Sequence, residues 1–270
     1  MYATRLAELT SARGALCVGI DPQPSVLDVW GLPHTVSGVE RCARRVVEAL
    51  GDAVAVFKPQ SGFFEPFGSA GIAVLERVLA DIRAAGALSL VDVKRGDIGS
   101  TMTGYAQAYL ADDSPLAADA ITVSPYLGFW SLRPAFDAAI ASGRGVYVLA
   151  RTSNPEGADV QLAQSSGRSV AQVIVDEARA LNATDARGAI GLVVGGTHAD
   201  LGIDLSGFNG SILVPGIGAQ GGRIDDLAQT FGDALARVLP SASREVLNVG
   251  PDPRRMRSAV AALSRSGHEI

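Results

Sequence analysis

Short apolar runs rich in Val, Ile and Leu alternate along the chain with longer stretches whose apolar residues recur every three or four positions. The short runs predict strands at 15–20, 53–58, 87–93, 119–123, 145–150, 189–194, 211–214 and 236–241. The amphipathic stretches predict helices at 38–51, 69–85, 99–112, 129–142, 167–181, 198–205, 222–230 and 251–266. Strand–helix alternation at this spacing gives parallel βα units, and eight of them predict an α/β fold, a (β/α)8 TIM barrel. A single barrel domain over residues 1–270 is expected, since no Pro/Gly/Ser-rich linker divides the chain. An open, doubly wound sheet is the alternative, because periodicity does not reveal closure.

The third strand breaks the apolar rule. Ala87-Leu88-Ser89-Leu90-Val91 runs directly into Asp92-Val93-Lys94-Arg95-Gly96-Asp97-Ile98. Side chains alternate faces along a strand, so Leu88, Leu90, Asp92 and Lys94 share one face and Ser89, Val91 and Val93 the other. Opposite charges therefore emerge side by side at a strand's C-terminal end, and Asp97 follows one tight turn later. Polar groups close the other strands too: Asp21, Lys58, Thr122 with Ser124, Arg151 with Ser153, Thr197, Gln220 and Arg244. Each could be a solvated loop residue. A ring of them on a barrel axis costs several kcal/mol (roughly, for groups that do not satisfy one another), and function is the usual reason to keep it. The loops at 21–37, 60–68, 151–166 and 214–222 all follow strands, and in a barrel they form the catalytic face.

Pro215-Gly216-Ile217-Gly218-Ala219-Gln220-Gly221-Gly222 contains a formal G-x-G-x-x-G. A dinucleotide fingerprint would open the first unit and be followed by a ribose-binding acid, and neither condition holds. Phosphate capture in the loops after strands seven and eight is the better reading: glycines let backbone N–H groups approach an anion at the start of the next helix, and Arg244 supplies charge.

The remaining composition narrows the class further. A net charge of −5 indicates no general affinity for nucleic acid or anionic membranes. Cys17 and Cys42 read as reduced cysteines rather than a disulfide or metal pair. His34, His198 and His268 show no ligand spacing, so no metal site is expected. Met1–Leu6 has no apolar signal core, and no run approaches a membrane span; a cytoplasmic protein is expected. Gly-x-Ser-x-Gly is absent.

Asp92-x-Lys94-x-x-Asp97-Ile98 matches the D-x-K-x-x-D-I signature of the orotidine 5′-phosphate decarboxylase family, which this chain resembles from Asp21 to Arg244. Gly19-Ile20-Asp21-Pro22 and Phe57-Lys58-Pro59-Gln60 are similar to its first- and second-strand motifs. Thr152-Ser153-Asn154 is similar to its pyrimidine-contacting segment, and Pro125–Gly128 resembles the longer-chain, bacterial branch. The resemblance implies decarboxylation of orotidine 5′-monophosphate to uridine 5′-monophosphate in pyrimidine synthesis, with no metal or organic cofactor. It implies that Lys94, Asp92, Asp97 and Lys58 are catalytic, with Lys94 protonating a C6 carbanion. Asp21, Thr101, Ser153, Gly218, Gln220, Gly221 and Arg244 would bind substrate. It further implies a homodimer in which Asp97 and Thr101 reach the neighbouring subunit's site.

A sister barrel, a sugar-phosphate β-keto-acid decarboxylase or hexulose-phosphate aldolase, shares D-x-K-x-x-D but holds Mg²⁺ with an acid at the second strand's end. This chain has Lys58 there, which would repel the metal. A catalytically silent phosphate-binding barrel has little to recommend it when every catalytic residue is present.

Overall fold

The computed structural model describes residues 1–186, 188–198, 200–218 and 221–266. Its parallel strands are β1 (Cys17–Ile20), β2 (Val56–Pro59), β3 (Leu88–Arg95), β4 (Ala120–Val123), β5 (Gly145–Arg151), β6 (Ile190–Val194), β7 (Ile212–Val214) and β8 (Val238–Ala242). Each pairs with its neighbour in sequence, and Cys17 of β1 stands opposite Ser241 of β8, so the sheet closes into a barrel. That last pairing excludes the open sheet.

The two faces of each strand sort as their side chains demand. Inward-facing Cys17, Val56, Leu88, Leu90, Tyr147 and Leu213 form one apolar cluster. Outward-facing Val18, Phe57, Val91, Ile121 and Leu192 pack beneath the helices in a second, larger one. An N-terminal helix, Tyr2–Arg13, plugs the barrel at the strands' starting end. The Tyr2 hydroxyl lies 2.9 Å from that of Tyr147, and Arg5 pairs with Asp119 at 2.7 Å. With the barrel filled from below, the charged strand ends emerge at the opposite end, where a cavity opens.

Helices Val36–Leu50, Gly68–Ala84, Gly99–Leu110, Arg133–Ser142, Val170–Leu181 and Pro253–Ser266 occupy expected segments. The helix expected at 198–205 does not form among the described residues. Here Asp200 accepts from the Gly202 amide and Asp204 from the Ser206 amide, both at 2.8 Å. These aspartates close local turns in place of a helical ladder, and Gly202 sits at φ +65°. The helix expected at 222–230 breaks into short turns, Ile224–Asp226, Leu227–Phe231 and Gly232–Arg237. After β5 the chain makes a single-turn helix, Ala158–Gln161, and a two-stranded ribbon, Gln164–Ser165 with Arg168–Ser169. Among the described residues, no helix is long and apolar enough to cross a membrane.

Candidate active site

A cavity of about 710 Å³ opens at the C-terminal ends of the strands. Asp21, Lys58, Asp92, Lys94, Ser153 and Arg244 all line it, which brings together six of the residues expected from sequence. Its floor is a charge array built on Asp92. Asp92 Oδ1 accepts from Lys94 Nζ at 2.6 Å and Thr122 Oγ1 at 2.8 Å. Asp92 Oδ2 accepts from Lys58 Nζ at 3.1 Å and Gln60 Nε2 at 2.9 Å.

Burial divides the array. The side chains of Lys58 and Asp92 are only 8% and 10% exposed, whereas that of Lys94 is 47% exposed and faces the cavity. Burial alone would discharge Lys58, but the carboxylates of Asp92 and Asp21 outweigh it and hold its pKa above the ordinary lysine value. Burial would likewise raise Asp92; the ammoniums of Lys58 and Lys94, with hydrogen bonds from Lys94 and Thr122, hold it well below the usual carboxylate range. The pair is thus locked as ions throughout the physiological range.

The backbone contributes as well. Lys94 adopts φ +45°, a left-handed conformation that a side chain with a Cβ resists. Its amide donates to Thr122 Oγ1 at 3.0 Å, and the β3–β4 register shifts between Val91 and Arg95. One threonine therefore holds both the Lys94 backbone and the Asp92 carboxylate. Arg95, on the far side of the bulge, is anchored to Glu65 at 2.7 Å, and Glu65 accepts also from Ser61.

Asp97 and Thr101 stand apart from the cavity of their own chain. Asp97 Oδ1 accepts from the Ile98 amide at 2.8 Å, and Thr101 is exposed on the first turn of Gly99–Leu110. Gln220 lies outside the described residues. In the glycine loop, the Gly218 amide donates to the Gly222 carbonyl and the Gly221 amide to the Gly218 carbonyl, both at 2.7 Å. These N–H groups close the loop on itself rather than pointing from a helix terminus. Gly218 sits at φ +76°, and a Cβ there would lie 2.2 Å from the Glu245 carboxyl carbon, so only glycine fits. Among the described residues, Asp21 Oδ1, Ser243 Oγ and Glu245 Oε2 are buried without hydrogen-bond partners, and all three residues line the cavity.

Gln60 and Thr122 are the site residues that sequence reasoning undervalued. Gln60 was visible only as a letter of Lys58-Pro59-Gln60, and Thr122 only as a polar strand end; that both donate to Asp92 required the register of β2, β3 and β4. Among the described residues, no cluster of three or more His, Cys, Asp or Glu side chains is placed to hold a metal ion.

The family model described as orotidine 5′-phosphate decarboxylase / HUMPS matches residues 14–258. The chain belongs to this family. The orotidine 5′-phosphate decarboxylase of Salinispora arenicola (strain CNS-205) is 57% identical over 260 residues, covering 96% of this chain and 94% of that protein. The one from Streptomyces coelicolor (strain ATCC BAA-471 / A3(2) / M145) is 54% identical over 260 residues, with the same coverage. Among solved structures, one from Streptomyces avermitilis superposes with a TM-score of 0.95 at 53% identity, covering 99% of this chain and 95% of that one. The Leishmania donovani OMP decarboxylase superposes at 0.80 with 29% identity, covering 99% and 98%. At the end of its second strand this family member carries Lys58, hydrogen-bonded to Asp92.

Proposed function

We propose that this chain decarboxylates orotidine 5′-monophosphate to uridine 5′-monophosphate and CO2 in pyrimidine nucleotide synthesis, without metal or organic cofactor. The observation that carries this reading is the Lys58–Asp92–Lys94 array, in which a buried ion pair holds a second, cavity-facing ammonium in place. The relatives at 51–57% identity bear the corresponding name.

The chemical problem is the electron pair left at C6 when the C6–CO2 bond breaks. The substrate carboxylate would lie against Asp92, which Lys58 and Lys94 keep ionised, and departure of CO2 relieves that repulsion. Lys94 faces the developing carbanion and gives it a proton; the neutral amine then regains one from water. Charges already in position need no solvent reorganisation as the transition state forms, so their stabilisation is not spent on ordering water.

Substrate binding follows the same map. Ser153 meets the pyrimidine, Asp21 offers its buried carboxylate oxygen to a ligand hydroxyl, and Arg244 with the Gly218–Gly221 loop and Gln220 holds the phosphate. Binding energy at the distant phosphate serves turnover by fixing the base over Lys94. Asp97 and Thr101 complete the neighbouring site in a homodimer, which accounts for their distance from the cavity of their own chain. The working unit is a single barrel domain acting in the cytoplasm.

The test is turnover of orotidylate, followed by loss of its absorbance, in wild type and Lys94→Ala. Wild type should convert it, and the variant should lose turnover while still binding uridylate. A folded, inactive wild type would sink the reading, and near-normal turnover of the variant would remove Lys94 as proton donor.

A further inference from the structure

We infer that Gln161 is a positioning residue for the pyrimidine-contacting Ser153, acting through Thr152. The inference rests on the function proposed above. Ser153 lies just beyond the end of β5, where the ladder to β6 slips between Leu149 and Arg151. The Thr152 amide is past the last ladder residue, so something other than a strand must hold it.

Gln161 takes that place with both ends of its amide. Its Oε1 accepts from the Thr152 amide at 3.0 Å, and its Nε2 donates to Thr152 Oγ1 at 2.7 Å. Thr152 Oγ1 in turn donates to Asn154 Oδ1 at 2.6 Å, closing a loop of bonds around Ser153. The Thr152 carbonyl lies 2.8 Å from His198 Nε2, and the Ser153 carbonyl accepts from Thr197 Oγ1 at 3.4 Å. His198 and Thr197 thus hold the two peptide units that flank Ser153, and Gln161 holds the unit before them through the Thr152 amide, and the Thr152 side chain with it.

Arg151 strengthens the case. It is buried, and the acceptors its guanidinium reaches are uncharged. Its Nη1 donates to Gln161 Oε1 at 3.2 Å and to the Thr152 carbonyl at 3.3 Å. The Gln161 oxygen therefore also serves a buried cation, which ties that oxygen's position to the strand end. Room for the arrangement comes from Gly157: a Cβ there would lie 2.8 Å from Thr152 Oγ1 and 3.0 Å from the Gln161 amide. A side chain eight residues after Ser153, in a helix of one turn, sets where the serine stands.

A staple that serves folding alone would look the same in the structure and differ in function. The experiment measures orotidylate kcat/KM, and inhibition by uridylate and by ribose 5-phosphate, for wild type, Gln161→Met, Gln161→Glu, Ser153→Ala and the Met/Ala double variant. Gln161→Met should lower kcat/KM roughly 10–100-fold, the range for a misplaced contact group. It should weaken uridylate and leave ribose 5-phosphate, which has no base, unchanged. Adding it to Ser153→Ala should change kcat/KM by less than about twofold, because the same contact is already gone. Gln161→Glu keeps the acceptor for Thr152 and pairs with Arg151, so it should recover most of the loss.

Equal weakening of both inhibitors, multiplicative losses in the double variant, or a Gln161→Met enzyme with wild-type uridylate binding would each overturn the inference. If Gln161→Met does not fold, Gln161→Asn, too short to reach both Thr152 groups, is read in the same way. Failure of the functional reading would show instead as a wild type that does not decarboxylate orotidylate; direct calorimetric binding of uridylate and ribose 5-phosphate would still report on Gln161.

Discussion

Replacing Asp92 with alanine should destabilise the barrel far more than loss of one surface charge. Lys58 is buried, and Asp92 is its hydrogen-bonded partner, 3.1 Å away. Removing the carboxylate strands a buried ammonium, a change that costs about 3–5 kcal/mol. For a chain of this size that corresponds to a fall in Tm of roughly 5–15 °C. The pH dependence identifies the cause. In wild type the Lys58 pKa is raised by Asp92 and Asp21, so its contribution is fully present below the unfolded lysine value and is lost only as pH rises through the folded one. Without Asp92, burial dominates and the folded pKa drops below the unfolded value. The unfolded chain then binds more protons between those two values, and the variant gains stability as pH rises towards about 10.4. Urea unfolding of both proteins at pH 7 and 9.5, at matched concentration, should show the gap narrowing at the higher pH. Replacing both partners, Lys58→Met with Asp92→Leu, should restore most of the loss. An Asp92→Ala variant as stable as wild type, or a gap that does not change with pH, would refute the picture of a buried ion pair.

Other perturbations separate chemistry from scaffold. Because Lys94 holds φ +45°, Lys94→Gly should be about 1 kcal/mol more stable than Lys94→Ala in thermal unfolding, both being inactive; equal stabilities would show that the backbone relaxes. Arg244→Ala should weaken uridylate at least tenfold, about 1.4 kcal/mol, and leave uridine unaffected; equal effects on the two would remove Arg244 as phosphate clamp. Gly218→Ala combines a positive φ with a clash on Glu245, and should lower kcat/KM for orotidylate with little change in Tm; a large fall in Tm would mean that the loop supports the fold and not the ligand.

The barrel was legible because every strand is a short apolar run bounded by helical periodicity, and all eight fall where those runs lie. The helix at 198–205 was misread because Leu201 and Leu205 have helical spacing, while Asp200 and Asp204 use their carboxylates to make turns. The N-terminal helix escaped notice because its apolar face is slight: Tyr2 and Leu6 are its buried side chains. In the site, charges at strand ends could be read directly, since strand alternation places Asp92 and Lys94 on one face. Donors from neighbouring strands could not: Gln60 and Thr122 meet Asp92 only through the lateral register of the sheet. Gln161 was invisible for a stronger reason. Its importance comes from a loop that doubles back over β5, and local sequence carries no sign of that contact.

In the proposed reaction an ammonium array, and not a metal ion, manages the carbanion. Initial rates of orotidylate decarboxylation by the purified protein, with excess EDTA and then with added Mg²⁺, test it directly. Full turnover in EDTA and no gain from Mg²⁺ are expected; turnover that vanishes in EDTA and returns with Mg²⁺ would contradict a metal-free array.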